Sequence, residues 1–167
     1  MKFAAILISA SILSGASAAA QEPIVGRATV IDGDTIEING TRIRFGGIDA
    51  PESWQFCMSA AGEKYLCGQK AAFALDEFLA AARPTMCEKT DMDRYGRVVA
   101  NCFRNDGTDV SKWMVENGYA VDWPKYSHGV YAGYQDAAKA ASVGIWQGNF
   151  ELPCAARAAR LHRNSSC

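Results

Sequence analysis

Histidine is nearly absent: the chain of 167 residues has two, His128 and His162, and neither stands at metal-site spacing from another ligand. Zinc hydrolases and Ser-His-Asp hydrolases therefore lack their parts here. There is also no excess of basic charge, since the formal net charge is −1. A chain that coats nucleic acid draws its affinity from neutralising phosphates, so any contact of that kind must be local and transient. The longest apolar run, Phe3 to Leu13, falls short of the roughly 20 residues that cross a bilayer. Internal repeats and low-complexity linkers are missing too.

What is present starts with the N-terminus. Lys2, the apolar run and the small residues Ala18-Ala19-Ala20 read as an export signal over residues 1–20, removed near Ala20. The mature protein is then expected in the periplasm or the medium, with no membrane anchor. Six cysteines in an exported chain favour disulfides over metal thiolates. Cys87 and Cys102 flank Arg94-Tyr95 about equally, so a hairpin turning there places them opposite one another. Cys57 with Cys67 would close a short loop, and Cys154 with Cys167 would tie down the C-terminus. The expected organisation is one domain over residues 21–150 and a tail over 151–167. In that tail Arg157, Arg160 and Arg163 read as a solvated helix face, with an anion-binding face as the alternative.

Short β-branched runs separated by turn residues predict strands over Ala28–Ile31, Thr35–Ile38 and Thr41–Ile48. Asn39-Gly40 is a hairpin signal, because both positions of a two-residue turn take positive φ. Gly46-Gly47 predicts a bulge or bend within the third strand. Helical spacing of Ala71, Leu75, Phe78, Leu79 and Ala82 predicts a helix from Gly68 to Ala82, ended by Pro84. Strands over Thr85–Thr90 and Gly96–Arg104 follow, then a helix from Asp109, its N-cap, to Asn117, stopped by Gly118. A third helix runs from Val130 to Ser142. The class is α+β, mainly β: a five-stranded Greek-key barrel of the OB type with three helices.

Three charged stretches carry the chemistry: Asp32-Gly33-Asp34-Thr35, Arg44 with Asp49-Ala50-Pro51-Glu52, and Asp93-Arg94-Tyr95-Gly96-Arg97. Asp34 and Asp49, with the carbonyl of Ala50, offer the oxygen ligands that a hard divalent cation takes. Glu52, three residues past Asp49, can serve as general base toward water. Arg44 and Arg97 can present planar donor forks to phosphate oxygens. Arg94, Tyr95 and Tyr126 can border such a site, arginine toward phosphate and tyrosine rings toward bases. Trp113, Trp123 and Trp146 read as packing residues.

The order of Val30-Ile31-Asp32-Gly33-Asp34-Thr35, Arg44 through Gly47-Ile48-Asp49-Ala50-Pro51-Glu52, Asp93-Arg94-Tyr95-Gly96-Arg97 and Gly144-Ile145-Trp146 resembles the thermonuclease, or staphylococcal nuclease-like, family. The resemblance runs from about Ile24 to Trp146. It implies the OB-fold and hydrolysis of DNA and RNA with one Ca²⁺ ion, leaving 3′-phosphate and 5′-hydroxyl ends. It further implies a monomer with no stable protein partner. Carried over by motif, Asp34, Asp49 and the Ala50 carbonyl would bind calcium, Glu52 would act on the attacking water, and Arg44 and Arg97 would hold the phosphate. Arg94, Tyr95 and Tyr126 would lie near the nucleotide. Ala50 stands where the family has threonine, which removes a hydroxyl but keeps the carbonyl. The alternative reading is a catalytically weak or inactive nucleic-acid-binding module of the same fold.

Overall fold

Asn39 and Gly40 both take positive φ, 51° and 77°, and so close the tight turn expected between two alternating strands. The computed structural model describes residues 22–165 and 167; the export-signal reading of residues 1–20 lies outside them. The chain opens with strands β1 (Ile24–Gly26), β2 (Thr29–Asp32), β3 (Thr35–Ile38) and β4 (Thr41–Phe45). It bends at Gly46-Gly47 into the short β5 (Ile48–Asp49). A small hairpin follows, β6 (Phe56–Met58) and β7 (Lys64–Leu66), leading directly into helix α1 (Cys67–Ala80). The long hairpin of β8 (Thr85–Met92) and β9 (Val98–Arg104) comes next, then α2 (Val110–Glu116), where Asp109 caps the Lys112 N–H at 3.0 Å. The chain ends through β10 (Val121–Asp122), α3 (Pro124–Ser127), α4 (Ala132–Ala140), a 3₁₀ turn at Gly144–Gln147 and α5 (Pro153–Arg160).

The main sheet has six strands in the order β1-β8-β9-β4-β3-β2. Its two edge strands, β1 and β2, are successive in the chain with only Arg27-Ala28 between them. One bent strand thus supplies both edges, which is how a short sheet curls round a core. β4 and β9 pair in parallel and every other neighbour is antiparallel. Alternation decides what faces inward: Ile36, Ile38, Ile43 and Phe45 are buried against Leu75 and Leu79 of α1 and Val110, Met114 and Val115 of α2. Arg44, lying between Ile43 and Phe45, is directed to the opposite side.

The expected α+β class and the five expected strands are found, the third bent into β4 and β5; β1, added at the edge of β8, makes the main sheet six-stranded where a five-stranded barrel was expected, and β6, β7 and β10 stand outside it. Among the described residues five α-helices stand where three were expected. The additions, α3 and α5, span four and eight residues, too short to establish a period of their own in the sequence. All three cysteine pairings expected from spacing are present: Cys57–Cys67, Cys87–Cys102 and Cys154–Cys167. Cys87 and Cys102 sit opposite each other in the β8–β9 register. Among the described residues no helix is long and apolar enough to cross a membrane.

Candidate active site

The turn from β2 to β3 brings Asp34 against the end of β5. Gly33 makes this approach possible, since a Cβ there would lie 2.7 Å from the Cβ of Ala50. Asp34 Oδ2 accepts the Ala50 N–H at 3.1 Å, and its Oδ1 accepts the Thr35 hydroxyl at 3.0 Å. Arg44, reaching across from β4, donates through Nη1 to Asp34 Oδ1 at 2.6 Å and through Nη2 to Asp49 Oδ1 at 3.1 Å. Asp34 and Asp49 are 4% and 1% exposed. Buried carboxylates demand positive partners, and a single guanidinium serves both.

Glu52 is held from two directions. Its N–H donates to Gln55 Oε1 at 3.2 Å while its carbonyl accepts the Gln55 N–H at 2.7 Å. Its backbone also rests on the first turn of α1, where a Cβ at Gly68 would collide with the Glu52 carbonyl. Gln55 Nε2 in turn donates to the Glu151 carbonyl at 2.6 Å, which fastens this loop to the segment leading into α5.

The tail arginines are not all solvated, as the sequence had suggested. Arg157 turns inward from α5, donating through Nη1 to Asp49 Oδ1 and Glu52 Oε1, both at 2.8 Å, and through Nη2 to Asp49 Oδ2 at 3.0 Å. Arg157 thus joins the cleft, a place that its sequence pattern did not indicate. The available signal was slight: Pro153 is buried in α5, and Arg157 follows it at i+4, on the same face.

Arg97 lies just past the β8–β9 turn. Its Nε donates to Asp93 Oδ2 at 2.7 Å, and its Nη1 reaches Thr35 Oγ1 at 3.4 Å. Asp93 itself accepts the N–H groups of Tyr95 and Arg97 at 2.9 and 3.0 Å, so its job is to shape the turn. Tyr95 projects from that turn, 70% exposed, with Arg94 and Arg97 at 5.0 and 5.7 Å from its ring centre. Across the opening, Tyr126 of α3 packs edge-on against Trp123 at 4.7 Å. Trp123 is more than a packing residue: its ring lies 5.5 Å from the guanidinium of Arg44 and 5.6 Å from that of Arg157. Trp113 and Trp146 do pack as expected, against Phe78 and Phe150.

These residues surround one open cleft of about 1210 Å³. Asp34, Arg44, Ala50, Glu52, Arg94, Tyr95, Arg97 and Tyr126 all line it, with Asp49 directly behind. Burial pushes the Asp32 carboxyl up to about 6, reinforced by the charge of Asp34. Burial also raises Asp49, as does Asp34, against the opposing pull of Arg157 and Arg44. Burial would lift Asp93 as well, but the backbone and side-chain donors of Arg97 outweigh it and hold Asp93 below the usual range.

Among the described residues no three Asp, Glu, His or Cys side chains form a ready metal cage. The donor chemistry nonetheless suits a hard cation: two buried carboxylates side by side, with an adjoining backbone carbonyl, already require positive charge. Arginine nitrogens meet that requirement here, so one donor set can answer to a guanidinium or to a metal ion.

Residues 42–148 match the family described as staphylococcal nuclease homologue. The chain is 51% identical to the succinoglycan biosynthesis protein ExoI of Rhizobium meliloti (strain 1021), over 95% of this chain and 83% of that protein. It is 34% identical to the endonuclease YhcR of Bacillus subtilis (strain 168), over 82% of this chain but 12% of that larger protein. An uncharacterized endonuclease of Escherichia coli is 30% identical over 74% of this chain and 77% of its own length.

Proposed function

The chain belongs to the staphylococcal nuclease homologue family, and from that premise we propose that it is an exported, calcium-dependent endonuclease acting on DNA and RNA. One observation carries the reading: Arg44 and Arg97 line a single open cleft with Asp34 and Glu52, and Asp49 lies directly behind it against Arg44. Asp34, Asp49 and the Ala50 carbonyl would hold one Ca²⁺, which when bound lends positive charge to the phosphate and to the attacking water. Glu52 orients that water and takes its proton, a contribution of about 10²–10⁴ in rate. The water oxygen bonds to phosphorus as the bond to the 5′-oxygen breaks, leaving a 3′-phosphate and, after protonation, a 5′-hydroxyl. Arg44 and Arg97 donate to the non-bridging oxygens, where charge grows; one such donor is commonly worth about 10²–10³. Arg94 meets a neighbouring phosphate, and the rings of Tyr95 and Tyr126 stack on bases at either side.

Three disulfides accord with an oxidising compartment, and a signal over residues 1–20 would deliver the protein there. The Rhizobium relative is named for succinoglycan biosynthesis, which raises a polysaccharide as substrate. The cleft favours phosphodiesters, because its paired carboxylates are flanked by Arg44 and Arg97, donors suited to anionic oxygens rather than sugar hydroxyls. A second reading, a binding module without catalysis, is favoured by the hold of Arg157 on Asp49 and Glu52. The deciding assay incubates the mature protein with denatured DNA in Ca²⁺ or chelator and analyses the product ends. Cleavage with Ca²⁺ alone, leaving 3′-phosphates, is expected; binding without cleavage in any metal supports the second reading.

A further inference from the structure

Arg157 stands out because its guanidinium joins Asp49 to Glu52, two carboxylates to which the proposed function gives different roles. It spans both oxygens of Asp49 at 2.8 and 3.0 Å and one oxygen of Glu52 at 2.8 Å. A cation coordinated by Asp49 would lie about 2.3–2.6 Å from a carboxylate oxygen. Arg44 already donates to Asp49 Oδ1 at 3.1 Å, and Arg157 adds a second guanidinium there while also covering Oδ2, so with Arg157 seated a dication meets both carboxylate oxygens occupied and an additional repelling charge. We infer that Arg157 is an internal counter-cation of this site, seated between Asp49 and Glu52 in the resting protein and displaced when the carboxylates take Ca²⁺.

This rests on the calcium reading above and adds a competitor built into the chain. The arrangement allows the side chain to leave without its helix. α5 has its own anchors: Pro153 and Ala156 are buried, Arg160 lies 4.5 Å from the ring centre of Trp54, and Cys154 is bridged to Cys167. The Arg157 side chain is 30% exposed and borders the cleft, so it has an open path outward. Exchange of a guanidinium for a metal ion makes the apparent calcium affinity lower than the carboxylates alone would give, in proportion to how often the seat is vacant.

Isothermal titration of Ca²⁺ into the full mature protein, without substrate, tests this. Arg157→Ala is expected to bind Ca²⁺ about tenfold more tightly than wild type, within the usual span of coupled sites. Arg157→Lys, whose single ammonium cannot span both carboxylates, is expected to fall between them and carries the test if the alanine variant folds poorly. Arg160→Ala, on the same helix but stacked on Trp54, should match wild type. Binding by Arg157→Ala no tighter than wild type overturns the inference, as does equal tightening in Arg160→Ala, which would reduce the effect to general tail charge. If neither wild type nor Arg157→Ala binds Ca²⁺, the calcium reading falls and takes this inference with it. If wild type binds and the variant gains nothing, only the inference falls.

Discussion

Asp32 and Asp34 are separated by one glycine yet occupy different electrostatic situations. Asp34 is neutralised by Arg44 at 2.6 Å, whereas Asp32 accepts the Asp34 N–H at 3.0 Å and, among the described residues, has no arginine to lower it. Burial and its anionic neighbour lift Asp32 from 3.8 to about 6. The folded protein therefore keeps a proton that the unfolded chain gives up, and this group's contribution to stability falls as pH rises from about 4 to about 6. Asp32→Asn keeps the accepting oxygen and cannot ionise. Its melting temperature in metal-free buffer, measured against wild type, should gain progressively across that pH window and level off above it; a difference independent of pH would contradict the assignment. At this scale the sequence was legible as placement wherever residues sat inside one short motif: Asp34, Arg44, Glu52 and Arg97 were expected together and do line one cleft, with Asp49 behind it. Arg157 was not, because it meets Asp49 across 108 positions of chain and no local pattern encodes a contact that distant.

At the level of elements, the site depends on how closely α1 can approach the loop after β5. Gly68 is the contact point, and any side chain there meets the backbone of Glu52. A backbone carbonyl cannot rotate aside as a side chain can, so the loop itself must move. Overpacking of this kind costs about 1–3 kcal/mol. Gly68→Ala should lose that much in urea denaturation and should also lower kcat by displacing the Glu52 carboxylate, whereas a stability loss with kcat unchanged would mean that the loop yields without carrying Glu52 along. The Asn39-Gly40 turn, the Gly46-Gly47 bend, the Asp109 cap and the α1 periodicity were all readable, since each is a local conformational requirement. The β6–β7 hairpin was not: its three-residue strands are too short to alternate recognisably, and a lone glycine, Gly62 at positive φ, marks its turn.

The whole molecule joins a near-neutral chain to a locally charged cleft. Net charge of −1 gives little long-range attraction for a polyanion, so on the proposed function binding would rest on the arginines concentrated around the cleft. The curled sheet brings the β2–β3 turn, the end of β5 and the β8–β9 hairpin to one side, and this convergence could be anticipated once the three stretches were placed on a barrel. The role of the tail was not foreseen, because its pairing with Asp49 and Glu52 exists only after the chain has closed on itself. The most direct test of the account is the single-turnover rate of Glu52→Gln against wild type on denatured DNA at saturating Ca²⁺. Loss of a general base predicts a fall of about 10²–10⁴ with DNA affinity retained; a rate within a few-fold of wild type would contradict the assignment of water activation to Glu52.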